Sequence, residues 1–139
     1  KKEVILKIES DSTRVMVYAD RQRIAQVMTN LISNAIKHSF EGEEVIVVLK
    51  TSKKSVRISV KDFGEGIPEE HLPRIFERFY RVDKSRSREK GGTGLGLAIV
   101  KHILDGHNTR AEVESTPGRG SVFSFRLPRK KNETTDESE

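Results

Sequence analysis

The chain predicts a two-layer α/β sandwich of the α+β class: a mixed, largely antiparallel sheet covered on one face by helices. Three observations carry that expectation. Apolar residues recur at Ile24, Val27, Met28, Leu31, Ile32, Ala35 and Ile36, the 3.6-residue period of a helix with one buried stripe. Two β-branched runs, EVIVVLKT and SVRISVKD, are separated only by SKK and read as an antiparallel pair. Two more runs, RAEVEST and GSVFSFRLP, flank a PGRG turn near the end of the chain.

Taken in order, EVILKIE alternates and reads as a strand, and VMVYA as a second short one. Asp20 is placed to cap the periodic helix, which ends near Ser39. After the central strand pair and a Gly-x-Gly turn, PEEHLPRIFERF reads as short helical pieces. Residues 82–93 are basic and irregular. A helix over about 95–105 is apolar nearly all round and is expected to be well buried. The 139 residues suffice for one domain and hardly for two, with a boundary at 128 and a disordered polar tail over 129–139.

Composition removes several classes of function. No run of 18 apolar residues exists, so nothing in this sequence is expected to cross a membrane as a helix, and the opening KKEVILKIESD does not read as a signal peptide. With no cysteine, disulfides and thiolate metal sites are excluded, and a reducing compartment fits. The net charge of +5 is locally concentrated: RFYRVDKSRSREK holds six basic residues against two acidic ones. Nucleic acid is the reflex partner for such a run, but a single interleaved aromatic pair argues against it.

Three stretches carry chemistry. On the periodic helix, Asn30, Asn34 and Lys37 fall within about 60° of one another. They form either a solvated polar face or a site for an oxygen-rich ligand, since an amide oxygen suits Mg²⁺ and a lysine pairs with phosphate. In VKDFGEGIP, Asp62 ends a strand and Gly64 and Gly66 make a turn that is either plain or open to a flat ligand. The triplet Asp62-Phe63-Gly64 mimics the metal-binding triplet of eukaryotic protein kinases, but no His-Arg-Asp loop precedes it. GGTGLGLAIV places four glycines in six residues before a helix. It has neither the P-loop nor the dinucleotide spacing, yet free N–H groups at a helix N-terminus form an anion site. The basic segment ahead of it is suited to fold over bound phosphates as a lid.

The order of these stretches, NLISNAIKHS, DFGEGIP, FERFYRVD, GGTGLGLAIV and TPGRGSVFSF, closely resembles the catalytic and ATP-binding domain of bacterial sensor histidine kinases. That domain belongs to the ATPase/kinase superfamily of DNA gyrase, Hsp90 and MutL, and the resemblance runs from Val4 to about Pro128. The resemblance implies ATP and Mg²⁺ as cofactors. It implies Asn34 as the Mg²⁺ ligand, supported by Asn30, with Lys37 on phosphate and His38 in a slot near the nucleotide. Asp62 would accept the adenine amino hydrogen bond, and Gly64, Gly66 and Ile67 would shape the adenine pocket. Phe76, Phe79 and Tyr80 would anchor the lid, Arg81 would reach the γ-phosphate, and Gly92, Thr93, Gly94, Leu95, Gly96 and Leu97 would hold the phosphates. Gly118, Gly120 and Ser121 would close the rear of the pocket.

Asn30 stands where the gyrase-like ATPases carry a water-activating glutamate; an amide is no base, so phosphoryl transfer is implied rather than hydrolysis. His38, His71, His102 and His107 lack the neighbours of the family's phosphoacceptor motif. The implied acceptor therefore lies on a separate dimerisation hairpin, with a response regulator served indirectly and a cytoplasmic location beneath an inner-membrane sensor. A regulatory module that binds nucleotide without transfer is the rival reading. The family's His-Gly-Gly after the second long helix is His107-Asn108-Thr109 here, and Thr109 is poorly suited to a left-handed conformation.

Overall fold

The computed structural model describes residues 2–80 and 95–130. Its elements run β1 (Ile5–Ser10), α1 (Arg21–His38), β2 (Glu44–Thr51), β3 (Ser55–Asp62), a 3-10 helix (Glu69–Arg74), α2 (Gly96–Gly106), β4 (Glu112–Thr116) and β5 (Gly120–Pro128). The strands form one sheet in the order β1-β2-β3-β5-β4. Because α1 crosses between them, β1 and β2 pair parallel, while the other three pairs are antiparallel. This is the mixed, largely antiparallel sheet expected from the sequence.

Period two decides what each strand offers to the helices. In β3, Val56, Ile58, Val60 and Asp62 are buried, and β5 sets Leu127, Phe125, Phe123 and Ser121 directly beside them. Against this face lie Val27, Leu31 and Ala35 of α1 and Val100, Ile103 and Leu104 of α2. Phe76 packs edge-on to Phe123 with ring centroids 6.1 Å apart, so the segment after the 3-10 helix is anchored in the same core.

The ends of α1 are tied with side chains. Asp20 accepts from the Arg23 N–H at 3.1 Å, as the sequence predicts. The Lys2 ammonium donates to the carbonyls of Ile36, Lys37 and Ser39 at 3.1, 2.9 and 2.7 Å, placing a cation at the helix C-terminus. His107 accepts from the Asp20 N–H at 3.0 Å through Nε2 while its Nδ1 meets the Ile103 carbonyl at 2.9 Å. That pair of contacts requires the tautomer with the proton on Nδ1, and it joins the start of α1 to the end of α2.

Two expectations need correction. VMVYA is not a strand: Val17 makes one isolated bridge to Arg129, because the chain must turn at once into the Asp20 cap. Helix α2 is not buried all round either. Val100, Ile103 and Leu104 are buried, but Lys101, His102 and Asp105 face solvent, and Lys101 pairs with Asp105 at 2.8 Å. Only one stripe of α2 reaches α1 and the sheet.

At the exit from α2, Asn108 takes the left-handed conformation with φ of 59°, and the Thr109 N–H closes on the Leu104 carbonyl at 3.1 Å. Thr109 itself keeps an ordinary φ, so one left-handed residue completes the turn. Backbone pairing continues past Pro128: the N–H groups of Arg129 and Lys130 donate to Lys54 and Met16. The rest of the expected tail, 131–139, lies outside the described residues, as does the basic stretch 82–93. Among the described residues no helix is long and apolar enough to cross a membrane.

Leu31→Ala is expected to destabilise the domain by about 2–5 kcal/mol, since Leu31 is 1% exposed at the α1–sheet contact. Ile8→Ala, at a side chain 70% exposed on the edge strand, is expected to change stability by less than about 0.5 kcal/mol. Urea unfolding of the two variants checks the contrast, and equal losses would contradict this placement of the core.

Candidate functional site

Asp62 is the last residue of β3, and strand alternation continues it onto the helix-covered face after Val56, Ile58 and Val60. It is 3% exposed. Its carboxylate accepts from the Gly64 N–H at 2.9 Å, and Ser121 is its cross-strand neighbour on β5. Burial pushes its pKa above the ordinary aspartate value. The Gly64 N–H bond, the nearby His38 and the Ser121 backbone pull the other way, and the Glu43 carboxylate adds to the rise. A buried acid held at a strand end by a backbone donor, with no ion-pair partner among the described residues, has the signature of a functional site.

The turn after Asp62 is built where side chains do not fit. A Cβ on Gly64 would sit 1.9 Å from the His38 carbonyl oxygen, and one on Gly66 2.3 Å from the Thr116 carbonyl oxygen. On Gly120 it would sit 2.1 Å from the Asp62 carbonyl oxygen. Gly66, Gly118 and Gly120 also have φ of 75°, 82° and 104°. These close approaches knit three segments together: the end of α1, the turn 62–67 and the β4–β5 hairpin. Glu65 is the hinge of the knot. Its N–H donates to the His38 carbonyl at 3.3 Å, its carbonyl accepts from the Gly118 N–H at 2.8 Å, and its carboxylate meets the His38 ring at 2.8 Å.

The polar residues of α1 lie on the border of its packed stripe: Asn30, Asn34, Lys37 and His38 are all half-buried. Asn30 donates its amide to the Gly96 carbonyl at 3.2 Å, which ties α1 to the first turn of α2. Among the described residues no hydrogen bond engages the Asn34 side chain, so its amide oxygen remains available to a ligand. Leu95 caps α2 without a side-chain hydrogen bond, and Leu97 packs against the core.

Of the aromatic box, Phe76 is anchored, and Tyr80 is held by the His71 ring and by Arg74, whose guanidinium lies 4.6 Å from its ring centre. Phe79 departs from expectation: it is 64% exposed, with φ of 67°, and does not anchor the segment among the described residues. Arg81, Gly92, Thr93 and Gly94 lie outside the described residues. His71 is occupied by Tyr80, His107 by Asp20 and Ile103, and His102 is exposed on α2.

Three participants were not singled out from sequence. Glu65 and Lys2 act on the end of α1. Ser115 accepts from the Ile67 N–H at 2.7 Å and contacts the Ser121 hydroxyl at 2.8 Å. The only sequence signal for Ser115 is its hairpin register, which sets it beside Ser121.

The arrangement can do three things chemically. The Asp62 carboxylate can accept from an exocyclic amino group, the Asn34 amide oxygen on the α1 border can meet a hard cation, and the Lys37 ammonium can pair with phosphate. Mg²⁺ fits such a donor set, which is hard and oxygen-based and leaves other positions to water and phosphate.

Residues 19–131 match the family described as histidine kinase-, DNA gyrase B-, and HSP90-like ATPase. The chain is 44% identical over 120 residues to the sensor histidine kinase YkoH of Bacillus subtilis strain 168, a match covering 86% of this chain and 26% of that protein. It therefore spans about a quarter of the length of that curated relative. Among solved structures, the nucleotide-free catalytic domain of histidine kinase ThkA superposes with a TM-score of 0.77 at 35% identity, covering 91% of this chain and 80% of that one. Full-length ShkA in complex with AMPPNP superposes at 0.78 with 29% identity, covering 93% of this chain and 26% of that one.

Gly64→Ala is expected to cost more than about 3 kcal/mol, because the clash is with backbone that cannot retreat. Gly106→Ala, with nothing within 4 Å of its would-be Cβ at the end of α2, is expected to be neutral or to stabilise by up to about 1 kcal/mol. Thermal melts of the two variants give the comparison.

A second expectation concerns pH. The folded pKa of Asp62 lies above the unfolded value near 3.8, so its favourable contribution exists with the group protonated and is lost as pH rises through the folded value. At pH 7 the ionised carboxylate therefore burdens the ligand-free fold. Asp62→Asn is expected to keep or raise the melting midpoint at pH 7 and to weaken the dependence of that midpoint on pH above about 4. A midpoint several degrees below wild type at pH 7 would show the opposite sign.

Proposed function

The chain belongs to the histidine kinase-, DNA gyrase B- and HSP90-like ATPase family, and from that premise we propose that it is the ATP-binding catalytic domain of a two-component sensor histidine kinase. On this reading it transfers the γ-phosphoryl group of Mg-ATP to a histidine on a dimerisation hairpin, from which a response regulator is served. The observation that carries it is the buried Asp62 carboxylate, which accepts from the Gly64 N–H at a turn of glycines packed directly against the carbonyls of His38 and Thr116.

In the proposed mechanism, Asp62 accepts the exocyclic amino group of adenine while Gly64, Gly66 and Ile67 form the wall along the ring. Gly118, Gly120 and Ser121 close the rear. Bound Mg-ATP supplies the transferable phosphoryl group and the cation that offsets its charge. Asn34 offers the amide oxygen to that cation, and Asn30, fastened to the Gly96 carbonyl, keeps α1 and the start of α2 together. Lys37 and Arg81 would hold the phosphates, together with the backbone of Gly92, Thr93, Gly94, Leu95, Gly96 and Leu97. His38 is held by Glu65 and shapes the edge of the pocket rather than receiving phosphate. Asn30 has no basic group to deprotonate water, so the site favours transfer over hydrolysis. A site that consumes ATP belongs on the cytoplasmic side of its parent, which we place as an inner-membrane sensor.

Calorimetry is expected to give Mg²⁺-dependent binding of ATP and ADP, with a preference over GTP of at least about 100-fold, since the wrong base leaves buried groups unpaired. Asp62→Asn should remove binding while the fold persists. With labelled ATP the chain alone should acquire no acid-labile phosphate and hydrolyse slowly. Adding a purified acceptor hairpin should yield phosphohistidine, and Arg81→Ala should then lower the rate more than the affinity. Tight ATP binding without transfer to any hairpin would leave a nucleotide sensor instead.

A further inference from the structure

Four strands contribute neighbouring residues to one row on the helix-covered face: Val45 of β2, Asp62 of β3, Ser121 of β5 and Ser115 of β4. The row passes from apolar to carboxylate to two hydroxyls. Asp62 and Ser121 are both buried, and Ser115 is half-buried on the edge strand. One assignment of protons along this row satisfies all of its contacts at once.

The Ser115 hydroxyl has one proton and two lone pairs. One lone pair accepts from the Ile67 N–H at 2.7 Å. The Gly120 carbonyl lies at 3.0 Å and can only accept, so the Ser115 proton goes there. The contact to the Ser121 hydroxyl at 2.8 Å then holds only if Ser121 donates to the second Ser115 lone pair. The proton of Ser121 is thereby turned toward β4 and away from Asp62. What remains of Ser121 on the carboxylate side is acceptor only.

We propose that Ser115 is a positioning residue for base selection: by taking the Ser121 proton, it leaves two adjacent acceptors, Ser121 Oγ and the Asp62 carboxylate, facing the base. Such a pair favours a base bearing an amino group at the six-position and disfavours one bearing a carbonyl there. The inference rests on the nucleotide reading above. Without Ser115 the Ser121 hydroxyl rotates freely and can donate, so it satisfies a carbonyl as readily as an amino group. The same hydroxyl of Ser115 also fixes the Ile67 N–H, and hence the wall that carries the base.

The test compares ATP with inosine triphosphate, which exchanges the six-amino group for a carbonyl, by calorimetry on the chain as it stands. Ser115→Ala is expected to reduce the ATP-to-ITP affinity ratio by about tenfold, the equivalent of one unsatisfied buried hydrogen bond. Ser115→Thr, which keeps the hydroxyl, is expected to preserve the ratio. Ser121→Ala should lower the ratio as Ser115→Ala does, and adding Ser115→Ala to it should lower it no further. A purely structural Ser115 would move the melting midpoint and weaken both nucleotides equally, and an unchanged ratio in Ser115→Ala overturns the inference. So would independent, additive losses in the double variant. Wild-type protein that binds neither nucleotide would overturn the nucleotide reading itself, whereas wild-type preference for ATP with a ratio insensitive to Ser115 would remove only this proposal.

Discussion

The Gly64 backbone lies so close to the last turn of α1 that a Cβ there would sit 1.9 Å from the His38 carbonyl oxygen. Much of the site follows from that approach. It brings the Glu65 N–H within 3.3 Å of the same carbonyl and puts the Glu65 carboxylate on the His38 ring. It also fixes the distance between the polar border of α1 and the end of β3. A helix and a strand end separated by even one side chain would leave Asp62 and Asn34 in different surroundings. The glycines therefore set the spacing of the pocket before any ligand contributes.

Electrostatics works against the fold at the same place. Asp62 is buried with a raised pKa and with Glu43 as a like-charged neighbour, and its partial compensation comes from backbone N–H groups and His38. One carboxylate oxygen of Glu43 is itself buried and without a hydrogen-bond partner among the described residues. A core designed only for stability would place an apolar residue at the Asp62 position, continuing Val56, Ile58 and Val60. The chain instead carries a charge that has no ion-pair partner among the described residues. Such unfinished pairing is what a ligand-selecting group needs, because only the right donor completes it.

The scaffold offsets this strain by tying its two helices at several points. His107 links the start of α1 to the end of α2, Asn30 links the middle of α1 to the start of α2, and Lys2 closes the C-terminus of α1. The Lys2 tie uses carbonyls at a helix C-terminus that would otherwise be left to water. Together the ties hold α1 as a fixed shelf above the sheet, with its packed stripe inward and its amide-bearing border along the pocket.

Local periodicity determined most of the elements. The helical stripe from Ile24 to Ile36, the Asp20 cap, the central strand pair and the closing hairpin each follow from spacing and turn chemistry within a few residues. The ordered boxes from NLISNAIKHS to TPGRGSVFSF also mark the family in the sequence alone. Tertiary structure decided what depends on neighbours distant in the chain. VMVYA has strand composition, but among the described residues its one bridge is to Arg129, so it stays irregular. Helix α2 is apolar enough to be enclosed, yet the sheet and α1 supply a surface for one stripe only. Ser115 is an unremarked serine in a strand until register sets it beside Ser121 and the 62–67 turn lays the Ile67 N–H on it. Periodicity is written within an element, whereas hydrogen-bond partners 48 and 66 residues away exist only once the sheet has closed.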